Sequence, residues 1–269
     1  MDASDVLRKG GRCTLMGVIN LSSESFYRGS YCPPSDISDV LEHMVAQGAD
    51  IVDVGGRSTA PDAAQISVQE ELRRVKEALS LLEIDDRVLI SVDTQYAVVA
   101  SEALHLGAHI VNDVSGLSCE PELAEVVNEW GCPIVLMASC VRRGDGLGLA
   151  HSLRCAEQTV KRALELGVEK KSIILDPAVG RWIPEKQPSH DLALLNGLEQ
   201  FKQLGFPLLV GVSRKSFIGE VLGLTPPERL YGSLGAAAIA VYKGADIIRT
   251  HDVRETLHAV RIAEAIRSG

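Results

Sequence analysis

The sequence predicts a single (β/α)8 barrel, on three observations. Eight short apolar runs are spaced along 269 residues, helix-compatible segments fill most of the intervals, and glycine stands where most of those segments stop. Runs nearly continuous in Ile, Val and Leu suit parallel strands buried on both faces. A βα alternation carried through eight units needs about 250 residues, so one domain over 1–269, with 1–12 as an N-terminal extension, is the economical division. A doubly wound open sheet is the alternative, but no GxGxxG follows the first run.

The strand candidates are Cys13–Ile19, Ile51–Val54, Val88–Val92, His109–Val111, Ile134–Met137, Ile173–Leu175, Leu208–Val212 and Asp246–Ile248. The first helix is expected over Asp36–Gly48, with Gly48 as its C-terminal stop. The second, Ser67–Leu82, opens on Ser67-Val68-Gln69-Glu70, a capping-box pattern. Gln95–Leu106, Pro121–Trp130, Ser152–Leu166, Asp191–Leu204 and Pro227–Lys243 each run up to a glycine, and Arg254–Ile266 closes the chain. Glu70-Glu71 with Arg73-Arg74 reads as a solvated helix face, and Gly144–Gly148 as a mobile loop.

A net charge of −9 argues against nucleic acid as a partner, although it leaves room for a small anion at a locally cationic site. No run approaches the roughly 18 apolar residues of a membrane span. The polar N-terminus lacks a secretory core. Cys13, Cys32, Cys119, Cys132, Cys140 and Cys155 form no CxxC pair and no ligand-like spacing with histidine. All six are therefore expected as thiols in a reducing cytoplasm.

In such a barrel the working groups sit where strands end, on the βα loops. The runs here end in Asn20, Asp53, Asp93, Asn112-Asp113, Ser139, Asp176, Ser213-Arg214-Lys215 and Arg249-Thr250-His251. Asp, Asn and Ser are ordinary helix caps, but Lys215, Arg249 and His251 are not. Asn20, Ser58, Thr59, Arg249 and His251 are types that hold phosphate oxygens. Asp93, Asn112, Asp176 and Lys215 can read the edge of a flat heterocycle: carboxylates accept N–H, an amide does both, and an ammonium donates to a ring carbonyl. Together they suggest a phosphorylated heterocycle as substrate.

The same residues carry a resemblance. Met16-Gly17-Val18-Ile19-Asn20, Ser23-Glu24-Ser25-Phe26, Asp53-Val54-Gly55-Gly56-Arg57-Ser58-Thr59, Ser91-Val92-Asp93-Thr94, Val111-Asn112-Asp113, Leu175-Asp176-Pro177, Ser213-Arg214-Lys215-Ser216 and Arg249-Thr250-His251-Asp252 resemble, in order, the motifs of dihydropteroate synthases. The resemblance implies a transferase of folate biosynthesis. It would condense 6-hydroxymethyl-7,8-dihydropterin pyrophosphate with an arylamine, p-aminobenzoate in the usual case, in a cytoplasmic homodimer. It places Asp93, Asn112, Asp176 and Lys215 on the pterin. Asn20, Ser58, Thr59, Arg249 and His251 fall on the pyrophosphate, with Asn20 reaching Mg²⁺. Lys215, Arg249, His251 and Asp93 become the catalytic set.

Two loops depart from the family pattern. Where the family reads Asp-Ser-Phe-Ser-Asp-Gly, this chain has Glu24-Ser25-Phe26-Tyr27-Arg28-Gly29. Where it reads Gly-Gly-Glu-Ser-Thr-Arg-Pro, this chain has Gly55-Gly56-Arg57-Ser58-Thr59-Ala60-Pro61. Phe26, Arg28 and Arg57 thus stand as acceptor-loop candidates. The charge reversal raises two alternatives to p-aminobenzoate condensation: a larger anionic acceptor of the phosphoribosyl-aminobenzene type, or a non-catalytic pterin-binding protein.

Overall fold

The computed structural model describes residues 1–8, 11–22, 31–58, 65–82 and 87–269. Eight parallel strands follow one another: β1 (Thr14–Asn20), β2 (Ile51–Gly55), β3 (Leu89–Asp93), β4 (Ile110–Asp113), β5 (Ile134–Met137), β6 (Ile173–Asp176), β7 (Leu209–Gly211) and β8 (Ile247–Thr250). The sheet order is β6-β5-β4-β3-β2-β1-β8-β7, and a parallel bridge from Leu175 to Leu208 joins the two ends. The architecture is the (β/α)8 barrel. Most strands extend one or two residues beyond the apolar runs, so that Asn20, Asp93, Asn112, Asp176 and Arg249 lie within strands. Ladder hydrogen bonds hold these residues in place without apolar side chains.

Helices α1 (Ile37–Gln47), α2 (Val68–Leu79), α3 (Ala97–His105), α4 (Leu123–Trp130) and α5 (Leu149–Glu165) fall close to the expected segments. Gly48 and Gly131 close α1 and α4 at φ 100° and 59°, a left-handed conformation that costs a residue with a Cβ. The expected sixth helix divides at Gly197 into α6 (Pro188–Asn196) and α7 (Leu198–Lys202). An unforeseen helix, α8 (Ser216–Leu222), precedes α9 (Leu230–Tyr242) and α10 (Val253–Ser268). Ser67 caps α2 by accepting from the Glu70 N–H at 3.1 Å. No helix among the described residues is long and apolar enough to cross a membrane.

Side chains alternate along each strand, and this period of two orders the barrel interior. Met16, Ile51, Ile110, Val135, Ile174, Leu209 and Ile247 form a buried layer at the N-terminal end, against which Ala3 and Val6 of the N-terminal segment pack. Stepping two or four residues along the same strands reaches Asn20, Asp53, Asn112, Asp176 and Arg249. The barrel is therefore greasy at its base and ionisable at its mouth.

Candidate active site

Arg249 organises the mouth. Its guanidinium donates to Asp53 Oδ2 at 2.7 Å and to Asp93 Oδ2 at 2.9 Å, while the Asn112 amide donates to the same Asp53 oxygen at 2.9 Å. Burial works against the Arg249 charge, but Asp53 and Asp93 outweigh it and leave its pKa raised. Burial pushes the Asp93 carboxyl up to about 7 despite Arg249, with Asp53 and Glu71 adding to the rise. Among the described residues, Asp53 Oδ1 and Asp93 Oδ1 are buried without a hydrogen-bond partner. Unsatisfied buried oxygens are costly and suit N–H groups of a ligand.

Lys215 lies 4.5 Å from the centre of the Trp182 ring, and burial lowers its pKa to about 8, against the pull of Asp176. Asp176 accepts from the Ala178 N–H at 2.8 Å, and burial raises its pKa. Gly180 (φ 116°) makes room for Lys215: an added Cβ would stand 2.9 Å from Lys215 Nζ. The turn 178–180 rests on a buried ion pair. Lys186 Nζ donates to the Ala178 carbonyl and lies 3.3 Å from Asp191, whose carboxylate accepts from the Gly180 N–H at 2.8 Å. Lys186 and Asp191 were not singled out in the sequence, where they are two charged residues among exposed and half-buried neighbours.

The two cationic motifs are fastened together. Arg214, at φ 53°, makes a bidentate pair with Asp252 at 2.7 and 2.9 Å and donates to the Pro226 and Pro227 carbonyls. Ser213 Oγ accepts from the His251 main-chain N–H at 3.2 Å and lies 2.9 Å from His251 Nδ1. Burial, with Arg249 and Arg214 nearby, lowers the His251 pKa to about 3 and keeps the ring neutral. Arg249 is thus tied to Asp53 and Asp93 and also lies close enough to His251 for its charge to act on that ring.

Asn20 faces Asp93 across Gly55, where an added Cβ would lie 3.8 Å from Asn20 Oδ1 and 3.6 Å from Asp93 Cβ. Its amide oxygen is a hard donor of the kind Mg²⁺ takes. A neutral amide oxygen at a strand end fits an ion that arrives with substrate phosphate.

Four expectations need correcting. Arg57 is not a free loop cation: its Nε is tied to Glu71 at 2.6 Å, both side chains are buried, and its guanidinium lies 5.1 Å from the Tyr96 ring centre, with Nη2 left without a hydrogen-bond partner among the described residues. Glu71, expected on a solvated face with Glu70, is buried and also accepts from Thr94 Oγ1 at 2.6 Å. Glu70 keeps its exposed pairs with Arg73 and Arg74. Cys140 and Cys155 are joined as a disulfide, so the expectation of six thiols does not hold, and His151 lies beside the pair although the sequence spacing suggests no ligand set with histidine. Finally, the loop around Gly144–Gly148 is pinned by Asp145, which accepts main-chain N–H groups of Cys140, Val141 and Arg142. Ser58 lies within the described chain; Thr59, Phe26 and Arg28 lie outside the described residues.

The barrel mouth gathers carboxylates, an amide and cations around unsatisfied oxygens. A family model described as "Pterin binding enzyme" matches residues 16–251. The chain belongs to the pterin-binding enzymes. Within that family, it is 40% identical over 265 residues to the dihydropteroate synthase of Escherichia coli K12, covering 94% of this chain and 92% of the relative. The structure of a dihydropteroate synthase from Coxiella burnetii in complex with pteroic acid superposes with a TM-score of 0.84 at 37% identity, over 96% of this chain and 94% of the other. The Yersinia pestis dihydropteroate synthase with a sulfonamide drug gives 0.86 at 36%, over 96% and 95%.

Proposed function

We propose that this pterin-binding enzyme is a transferase that condenses 6-hydroxymethyl-7,8-dihydropterin pyrophosphate with p-aminobenzoate, giving 7,8-dihydropteroate and pyrophosphate. The observation that carries this reading is the pair of buried, unpartnered oxygens, Asp53 Oδ1 and Asp93 Oδ1, beside Asn112, Asp176 and Lys215. The relatives' activity and their pteroic acid complex support the same substrates.

The residues divide the work by charge. Asp93 and Asp176 accept N–H groups from the pterin edge, and Lys215 donates to the ring carbonyl. As the bond from the pterin methylene to oxygen lengthens, positive charge spreads into the ring, where the two carboxylates favour it. Arg249, held beside Asp53 and Asp93, keeps this concentration of negative charge from being excessive and turns its own positive field toward the leaving group. His251 stays neutral. Its Nδ1 lies 2.9 Å from the Ser213 hydroxyl, and in the tautomer where that hydroxyl donates to Nδ1, the Nε2–H serves a phosphate oxygen. Asn20 would hold Mg²⁺, which when bound neutralises charge on the pyrophosphate. The amine then attacks the methylene, and no protein nucleophile is needed.

The charge-reversal case for a larger anionic acceptor loses Arg57, whose charge is balanced by Glu71. Competing p-aminobenzoate against a phosphoribosyl-aminobenzene in one reaction tests this directly: the first should be consumed, and preference for the second would refute the proposed acceptor. We also propose a homodimer through α9 and α10, supported by the exposed Tyr231, Ile239, Tyr242, Ile262 and Ile266. Sedimentation should give twice the chain mass, and a monomer at micromolar concentration would refute it.

A further inference from the structure

Cys140 and Cys155 meet on the active-site rim of the barrel, between the end of β5 and the first half of α5, with His151 one helical turn before Cys155. The two sulfurs differ. Cys155 is fully buried, and its sulfur faces Asp145 Oδ1 at 3.8 Å, which disfavours a thiolate there. Cys140 is half-buried, and its sulfur lies 3.8 Å from His151 Nε2. His151 Nδ1 accepts from the Leu147 N–H at 3.2 Å, so the neutral ring carries its hydrogen on Nε2 and directs it at Cys140. That polarity supports a thiolate at Cys140 and leaves no Nε2 lone pair for a metal ion.

The same loop reaches the pterin pocket. The Gly144 N–H donates to Ser139 Oγ at 3.0 Å, and Trp182 packs directly on Gly144, where an added Cβ would stand 2.5 Å from the ring. Trp182 also lies against the Lys215 ammonium, and its Nε1–H donates to the Val179 carbonyl at 3.3 Å. The disulfide thus braces a loop that braces an aromatic ring that positions Lys215.

We propose that Cys140 and Cys155 form a redox-active pair that exchanges with dithiols and sets pterin affinity through Trp182 and Lys215; the second clause rests on the pterin reading of the pocket. In reduction, a dithiol thiolate attacks the accessible Cys140 sulfur, the S–S bond breaks, and Cys155 departs and takes a proton from solvent. The second thiol of the reductant, on losing its proton, attacks its partner sulfur in the mixed disulfide and closes its own disulfide. Cys140 is released as a thiolate beside His151 Nε2–H. Two electrons pass from the dithiol to the protein.

The test equilibrates the full chain in mixtures of reduced and oxidised dithiothreitol, traps thiols with a maleimide under denaturing conditions, and maps them by peptide mass. Cys13, Cys32, Cys119 and Cys132 should label throughout, and Cys140 and Cys155 should gain label together as the buffer becomes reducing. His151→Gln should slow alkylation of reduced Cys140 at neutral pH. Reduced protein should bind the pterin substrate about two- to fivefold more weakly, the factor expected from loosening a cation–π contact, and Cys140→Ser should bind equally in both buffers. The redox assignment fails if the pair never labels, always labels, or is protected in the reduced protein by a stoichiometric Zn²⁺ ion. Full redox cycling with unchanged pterin affinity overturns the coupling. Pterin binding in neither state overturns the functional reading, while the thiol count still decides the redox chemistry.

Discussion

Replacing Lys186 with methionine keeps the unbranched stem of the side chain and deletes its ammonium group. The Lys186 ammonium is buried and serves both Asp191 and the Ala178 carbonyl. Its removal leaves the buried Asp191 carboxylate with the Gly180 N–H as its hydrogen-bond donor among the described residues. Breaking one side of a buried pair costs about 3–5 kcal/mol. For 269 residues, the entropy of unfolding is roughly 0.56 kcal/mol/K, so the melting temperature should fall by about 5–9 °C. Because the turn 178–180 places Asp176 and Lys215, the KM for the pterin substrate should also rise. Lys186→Met combined with Asp191→Asn removes the orphaned charge but keeps the acceptor for Gly180, and should recover at least half of the lost stability. Thermal melts with parallel kinetics read both effects. A Lys186→Met protein melting within about 1 °C of the parent, below any cost expected for an orphaned buried charge, would refute the assigned role.

Lys215→Ala should weaken pterin binding in calorimetry, whereas His251→Ala should chiefly lower kcat; equal loss of both properties in both variants contradicts the division of labour. With its pKa lowered to about 8, Lys215 loses its charge as pH rises through that value, so pterin affinity should fall between pH 7 and 9. A flat affinity profile over that range would contradict it. His251, neutral in the folded chain down to about pH 3, takes a proton below about 6.5 when unfolded. The unfolded state binds more protons in that window, so stability falls as pH drops through it, and His251→Asn should flatten the dependence in urea titrations. Arg214→Lys exchanges a bidentate grip on Asp252 for a point charge. It should lower stability by about 1–3 kcal/mol and reduce kcat by disturbing His251; an unaffected melt and rate would remove Arg214 from that role.

Much of this was legible in the sequence because strand periodicity and strand-end polarity are local signals. The eight β-strands, the glycine stops and the ring of Asn20, Asp93, Asn112, Asp176, Lys215, Arg249 and His251 follow from them. What stayed hidden depends on distance across the fold. Arg57 looks free until α2 brings Glu71 against it, 14 residues away. Glu71 sits beside Glu70 in sequence but faces the barrel rather than water. Asp53 reads as one more polar strand end until Arg249 and Asn112 converge on it from 196 and 59 residues away. Helix α8 carries Gly219 in its middle and is followed by Pro226 and Pro227, which masks its helical signal. The His151–Cys155 spacing of four did carry a signal for a shared helix face, and Cys140 completes it from the loop before.

The most direct test of the central claim measures dihydropteroate and pyrophosphate together, in one reaction holding the pterin pyrophosphate, p-aminobenzoate and Mg²⁺. The two products should accumulate in equal amounts, depend on both substrates, and fall together in Lys215→Ala and His251→Ala. Pterin binding with neither product formed, or pyrophosphate released with no arylamine joined to the pterin, would contradict it.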